Sequence, residues 1–527
     1  MFSSRLTSTP SAVHRLRWWT LAVLSASLLV IGLDNTSLNG ALPSLQRDLG
    51  ASSSELQWIS DAYMLVFAGL LLTAGSLGDR FGRKRALTAG LLVFGTGSAL
   101  AALSTDSAQL IASRALMGVG AAFIMPSTLS ILINVFPAEE RAKAIGAWAA
   151  VAGLGVAIGP VTGGWLLENG DWNLVFLVNL PFVAAALLAG RWLVPESTDP
   201  AQSALDPLGA LLSISGLSAL LYGIIEAPEK GWTNDMVLAG LVAGAVLLAA
   251  FGLHELRTRA PMLDVRLFRN LRFSAASAAI TLLFFAMFGL MFFMTQYLQG
   301  VMGYDALGAG LRTLPVAGGL IIAGPLSSKL GARIGAKATV AGGMVIVAGA
   351  LVWLSGADAH SGFGLIGGSQ ALMGFGMGLA MAPATDSVMG AVPKDRASVG
   401  SAVNDTNRLV GGALGVAVLG SLLNTLYRGD MEPVTERLPE PARGAARDTI
   451  GGALAVADRV GGSAGRALHV AANGAFLGAM QTSVLIAAGV ALLGAALAAR
   501  YLPARAAEAT EAESPAAAVV ALEPAPA

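Results

Sequence analysis

Apolar runs of roughly 20 residues recur along this chain from end to end, and each matches the ~30 Å hydrocarbon core of a bilayer. Fourteen such runs are centred near residues 28, 67, 95, 120, 153, 183, 216, 245, 286, 318, 346, 375, 412 and 488. The expected fold class is therefore an all-α polytopic membrane protein with fourteen transmembrane helices. A mean hydropathy of +0.67 over 527 residues excludes a soluble globular chain. Cysteine is absent, which removes disulfides, thiolate metal sites and cysteine nucleophiles together. With 33 basic and 33 acidic residues, no bulk charge points to nucleic acid. The start, MFSSRLTSTPSAVHRLRWW, is basic and enters an apolar run without a small-residue cleavage site, so it reads as a retained first span.

Charge is concentrated in the connections. GSLGDRFGRKR, Gly75 to Arg85, places Arg80, Arg83, Lys84 and Arg85 in one turn, and Arg257, Arg259, Arg266, Arg269 and Arg272 fill the connection 255–272. The short connections on the other side hold only Arg47 and Lys230. An even span number puts both termini on one side, and the excess of Lys and Arg makes that side cytoplasmic. One outer connection, 426–475, is long, carries six arginines and has an amphipathic pattern; long loops escape the charge rule.

An internal repeat divides the chain. GSLGDRFGRK aligns with GPLSSKLGAR, Gly324 to Arg333, pairing Gly75 with Gly324, Arg80 with Lys329, Gly82 with Gly331 and Asp79 with Ser328. RALMGVGAAFIMPST from Arg114 resembles QALMGFGMGLAMAPAT from Gln370. Both pairs are offset by eight spans, as two six-span halves separated by two inserted spans require. The expected organisation is a cytoplasmic segment 1–17, a six-helix half 18–195, two inserted helices in 206–255, a second half 273–503 containing the long outer connection, and a low-complexity, disordered cytoplasmic tail 506–527. Parallel halves of this kind place a substrate site between them near the midplane.

The stretch GSLGDRFGRKRAL is similar to the loop 2-3 signature of the major facilitator superfamily. LDNTSLNGALP (Leu33 to Pro43), SRALMGVGAA (Ser113 to Ala122) and GVAIGPVTGG (Gly155 to Gly164) resemble, in order, motifs of its fourteen-span drug:proton antiporter-2 family. The resemblance covers about residues 15–503 and implies the major facilitator fold. In the first-span motif Ser37, Leu38 and Gly40 depart from the usual pattern, while Asp34 keeps its place. For the turn with Gly75 and Gly82 the resemblance implies that Asp79, Arg80 and Arg83 latch one half against the other. Physically, a carboxylate at a span end suits a helix N-terminus or an arginine, and glycines let helix ends approach. Lys84 and Arg85 equally fit plain topology. Gly155, Gly159 and Gly163, with Gly164 beside them, form a small-residue face, and Pro160 interrupts the backbone bonds. The expectation is a closely packed, bent helix, which the resemblance implies is a mark of antiporters.

Ionisable residues inside the spans cost roughly 2.5 to 3.5 kcal/mol each on insertion scales, so each needs a reason. The acids are Asp34, Asp61, Asp386 and Asp405, with Glu226 near an outer edge; the bases are Arg114, Arg312 and Arg408. His14, His254, His360 and His469 lie in tails, loops or span ends, which leaves proton carriage to carboxylates. Asp34 lies among Asn35, Thr36, Ser37 and Asn39, a strip suited to a water-filled cavity. Asp34, Asp405 and Arg114 are the candidates for proton coupling, although Arg408 at i+3 also fits a structural pair with Asp405. Gln57, Trp58, Asp61 and Tyr63, together with Asp34, are the candidate substrate contacts, offering charge and aromatic faces to a cation.

These features point to a proton-coupled antiporter that exports hydrophobic, cationic drugs or toxic compounds across the bacterial cytoplasmic membrane. It needs protons as coupling ion and no other cofactor, and contacts small molecules and lipid as a monomer without nucleic acid. Export of one metabolite or antibiotic is the alternative, and a proton-coupled nutrient importer shares the fold. Nothing matches a metal cluster, a phosphate-binding loop or a nucleophile elbow, so the chain does not read as an enzyme.

Overall fold

The described residues of this computed structural model are 10–49, 53–198, 206–258, 261, 263, 265–392, 397–436, 438–440 and 442–503. The expected segment 1–17 is described only from residue 10, and the expected tail 506–527 lies outside the described residues. Helices account for the architecture, with no strand among the described residues. The first half comprises α1 (Pro10–Asp48), α2 (Ser53–Phe81), α3 (Arg83–Ala102), α4 (Ser107–Val135), α5 (Ala138–Asn169) and a last span made of the short α6 (Leu174–Leu177) running into α7 (Asn179–Leu193). The inserted pair is α8 (Pro207–Lys230) and α9 (Asp235–Arg257). The second half holds α10 (Leu271–Gln296), α11 (Ala306–Leu354), α12 (Phe363–Gly390), α13 (Ala397–Thr435), α14 (Ala442–Asp448), α15 (Ile450–Val460) and α16 (Gly462–Tyr501).

Twelve described helical segments are long and apolar enough to cross a membrane. One of them, Gly308–Leu354, has 47 residues, about twice the length a bilayer needs. It breaks at Gly335, whose φ of 85° no L side chain adopts cheaply. Both arms then lie on α12, Gly319 against Ala371 and Gly343 against Gly376. α5, with 32 residues, is a further helix of spanning length. Fourteen spans are compatible with this arrangement.

The repeat is visible as equivalent packing. A Cβ on Gly118 of α4 would stand 2.6 Å from Tyr63 O of α2, and one on Gly374 of α12 would meet Val316 O of α11. One on Gly120 would lie 2.7 Å from Gly90 O, and one on Gly376 would lie 2.6 Å from Gly343 O. These contacts need glycine because the backbones themselves touch. They also correct the alignment of the turn. Gly82 has φ 114° and stands eight residues before Gly90; the residue with positive φ eight before Gly343 is Gly335, not Gly331. Tyr63 with Val316 and Gly82 with Gly335 keep one offset, so the matching turn lies four residues beyond the one the sequence alignment chose, and Ala332, not Ser328, stands opposite Asp79. The sequence carries glycines at both positions, and only the backbone conformation tells them apart.

The halves meet along α5 and α11, where a Cβ on Gly146 would lie 2.9 Å from Gly324 O, and along α13, which packs on α2 and α4. The inserted α8 touches α2 of one half and α13 of the other. Residues 426–475, read from the sequence as a loop, are mostly helical: α13 extends to Thr435, α14 and α15 follow, and α16 begins at Gly462. Arg443 reaches Glu432 at 3.0 Å and Arg428 reaches Asp448 at 3.2 Å, while Ala446, Ile450, Ala453 and Ala457 face inward. This is why so polar a connection holds helices together.

Gly376→Val should cost about 1–3 kcal/mol by forcing α11 and α12 apart. Gly349→Val, where a Cβ would meet nothing within 4 Å, is its control. Unfolding temperature and monodisperse yield after detergent extraction measure the difference, with only the first variant expected to lose both.

Candidate functional site

Asp34 is fully buried, because α4 and α7 close over the face of α1 that carries it. Arg114 Nη1 of α4 meets Asp34 Oδ2 at 2.5 Å, and Asn179 Nδ2 of α7 donates to Asp34 Oδ1 at 3.0 Å. A short charge-assisted bond and an amide donor replace the water that a carboxylate loses on burial. The arginine is held too. Its Nε donates to Ile59 O at 3.1 Å, and its guanidinium carbon lies 4.4 Å from the Tyr63 ring centroid. Asn179 also donates to Ser98 Oγ at 3.1 Å, and that hydroxyl donates to Phe176 O. Five helical segments thus converge on one carboxylate. Asn179 and Ser98 escaped the sequence reading; the signal was the amide in the otherwise apolar run LVNLPF.

The strip around Asp34 is packed. Ser37 Oγ donates to Gly159 O of α5 at 2.8 Å, and Thr36 Oγ1 donates back to Gly32 O. The small-residue face of α5 fits against it: a Cβ on Gly155 would lie 2.9 Å from Leu29 O, one on Gly159 would strike Thr36 Oγ1, and one on Gly163 would lie 2.9 Å from Ser37 O. Gly164 is half-buried beside them, and α5 is helical through Pro160, whose side chain lies outside the described residues.

At the charged end, Asp79 Oδ1 takes bonds from Arg83 Nη2 at 2.6 Å and Nε at 2.7 Å. Its Oδ2 accepts from the backbone N–H of Val399, in the first turn of α13, at 3.2 Å. One carboxylate of the first half thereby caps a helix of the second, where the helix dipole favours negative charge. Gly75 is buried in α2, and Arg80 lies 5.5 Å from the Phe81 ring centroid. The turn glycine, Gly82, leaves room for Glu196, which accepts from Lys84 N at 3.0 Å. Ala332, which the packing sets opposite Asp79, offers no carboxylate, and Ser328, its counterpart by sequence alone, donates to Pro325 O of its own helix.

Trp58 and Tyr63 do not form one aromatic site. Five residues turn a helix by about 140° beyond a full circle, so Tyr63 goes inward under Arg114, while Trp58 stacks on Tyr222 of α8 with centroids 6.4 Å apart. The side chains of Gln57, Asp61 and Asn39 lie outside the described residues. Asp405 is buried on α13, 3.6 Å from Arg408 Nη1.

Compared with known proteins, residues 24–416 match the sequence pattern of the Major Facilitator Superfamily. The chain belongs to that superfamily. This facilitator is 36% identical to the multidrug efflux pump LfrA of Mycolicibacterium smegmatis over 94% of its own length and 98% of the relative's. It is 33% identical to the tetracenomycin C resistance and export protein of Streptomyces glaucescens, over 94% of each chain. Identity to the methyl viologen resistance protein SmvA of Salmonella typhimurium is 34%, over 90% of this chain and 96% of that one. Among solved structures, the human organic anion transporter MFSD10 superposes with a TM-score of 0.60 at 15% identity, over 92% of this facilitator and 99% of MFSD10, a likeness of fold. The facilitator is thus a multi-pass membrane transporter.

Removing one partner of the Asp34–Arg114 pair strands a buried charge. Arg114→Gln should destabilise the protein by about 3–5 kcal/mol, seen as a lower unfolding temperature. Adding Asp34→Asn should restore most of that loss without restoring transport.

Proposed function

We propose that the protein exports hydrophobic, cationic compounds across the bacterial cytoplasmic membrane in exchange for protons, with both termini in the cytoplasm. The observation that carries this reading is Asp34, a buried carboxylate bound to Arg114 and Asn179 on the helix that receives the glycine face of α5. Protonation would remove the charge that holds Arg114 and so loosen α1 from α4. Because α5 rests on α1 and also crosses α11 at Gly146, a shift at Asp34 reaches the seam between the halves. Proton entry supplies about 2.3 kcal/mol per charge per 100 mV, with the pH difference added. Competition between proton and cationic substrate for the cavity charges then couples inward and outward flow.

In this reading the Asp79 contact with α13 latches the cytoplasmic end. The carboxylate must leave Val399 before the halves part there, and Arg83 keeps it oriented meanwhile. The lone acid on one side of the repeat supports a latch that holds one access state and not the other. The names of the relatives support export, and methyl viologen, in one of them, is a cation. Others are named for single antibiotics, tetracenomycin C and puromycin, which keeps export of one dedicated compound as the second reading. Resistance of cells expressing the protein to several unrelated cations supports the first reading, and resistance to one compound supports the second.

In inverted membrane vesicles, adding a cationic substrate should release protons from the lumen of those carrying the parent protein, read with a pH-sensitive dye. Asp34→Asn, made together with Arg114→Gln so that no buried charge is stranded, should insert at near-normal levels and abolish the signal; a full signal would move the coupling role elsewhere. Asp79→Asn should retain substrate binding but slow efflux at least about tenfold, since it weakens a charge-assisted contact to the α13 N-terminus.

A further inference from the structure

Arginine–aspartate pairs buried among the described residues differ in quality. Asp34 and Arg114 close to 2.5 Å and Asp79 and Arg83 to 2.6 Å, yet Arg408 Nη1 stays 3.6 Å from Asp405 Oδ1, beyond hydrogen-bond range. Arg408 Nη1 and Asp405 Oδ2 have no hydrogen-bond partner, although Asp405 is 1% exposed. The guanidinium is held instead by rings. Its carbon lies 4.7 Å from the Phe284 centroid and 5.4 Å from that of Trp148. Trp148 is fully buried, and its Nε1 donates to Thr128 Oγ1 at 3.3 Å, which fixes the ring. Two aromatic faces and an under-bonded carboxylate form the environment that a desolvated organic cation requires. A structural ion pair would instead satisfy its own oxygens and protons.

We propose that Trp148, Phe284 and Asp405 form a binding site for a flat or delocalised organic cation, and that Arg408 fills it as a tethered competitor which the substrate displaces. The proposal rests on the reading of the protein as a cation exporter and names a site for it. Trp148 belongs to α5 of the first half, whereas Phe284 and Asp405 belong to α10 and α13 of the second, so the cage straddles the seam. Against the apolar runs centred near 153 and 286, Trp148 lies five residues and Phe284 two residues before the centre, about 8 and 3 Å along their axes and so within a ~30 Å core. With Arg408 in place the site carries no net unpaired charge when empty of substrate. A neutral molecule gains only ring contact there and meets a charge it cannot replace, so the cage discriminates by charge.

The test is equilibrium binding of tetraphenylphosphonium to the purified full-length protein in lipid nanodiscs, with chloramphenicol as the neutral probe. Arg408→Gln frees the cage and leaves its acid, so the Kd for tetraphenylphosphonium should fall about tenfold or more while that for chloramphenicol stays the same. Adding Trp148→Leu to Arg408→Gln should erase the gain. If Arg408→Gln is not monodisperse, Arg408→Lys serves: an ammonium grips two rings less well than a guanidinium, so tetraphenylphosphonium should again bind tighter, by a smaller factor. An unchanged or higher Kd in whichever variant folds, or equal gains for both probes, overturns the cage. Failure of the export reading looks different: the parent would confer no resistance to cations and extrude none from vesicles, whatever the binding data.

Discussion

A carboxylate in the middle of a membrane helix has no water to charge against, and in this protein Asp34 obtains its whole solvation from Arg114 and Asn179. That requirement organises the first half. It fixes α4 and α7 against α1, draws Arg114 across Tyr63 onto the backbone of α2, and leaves the opposite side of α1 to α5. An isolated buried ion pair is a weak source of stability because desolvation offsets attraction. Its worth lies in being poised: neutralising either member changes what every neighbouring helix is bonded to.

The second half repeats the scaffold without the charge. Gln370 occupies the place of Arg114 and donates to Arg312 O of α11, much as Arg114 donates to Ile59 O of α2. Ala332 stands in the place of Asp79 and carries no charge. The glycine contacts of α4 with α2 and α3 recur as those of α12 with the two arms of α11. Duplicated packing with unequal electrostatics gives two halves of like shape and unlike buried charge, the asymmetry on which the proposed exchange rests.

The second half has its own buried charges, placed differently. Asp405 and Arg408 sit on α13, the helix that also touches α2, α4 and α8, so they face the seam rather than the interior of a bundle. The inserted pair adds to the same side: Trp58 stacks on Tyr222, and Trp232 Nε1 donates to Ser421 Oγ of α13 at 2.9 Å. The inserted pair is therefore fastened to both halves through α8 and the turn that follows it.

Helical class and the twofold repeat were determined by the sequence alone, because a hydrocarbon core selects for uninterrupted apolar length and backbone contact selects for glycine. The positions of Asp34, Asp79 and the α5 glycines were legible for the same reason: a charge or a run of glycines in a span is costly and stands out. Only the tertiary structure decided their partners. Asn179 reaches Asp34 from 145 residues away and Val399 reaches Asp79 from 320, and no local pattern encodes such pairings. The turn at Gly335 rather than Gly331, the parting of Trp58 from Tyr63, and the rings around Arg408 likewise follow from how whole helices rotate and pack. Side-chain direction is a property of the assembled bundle, whereas apolar length is a property of each segment by itself.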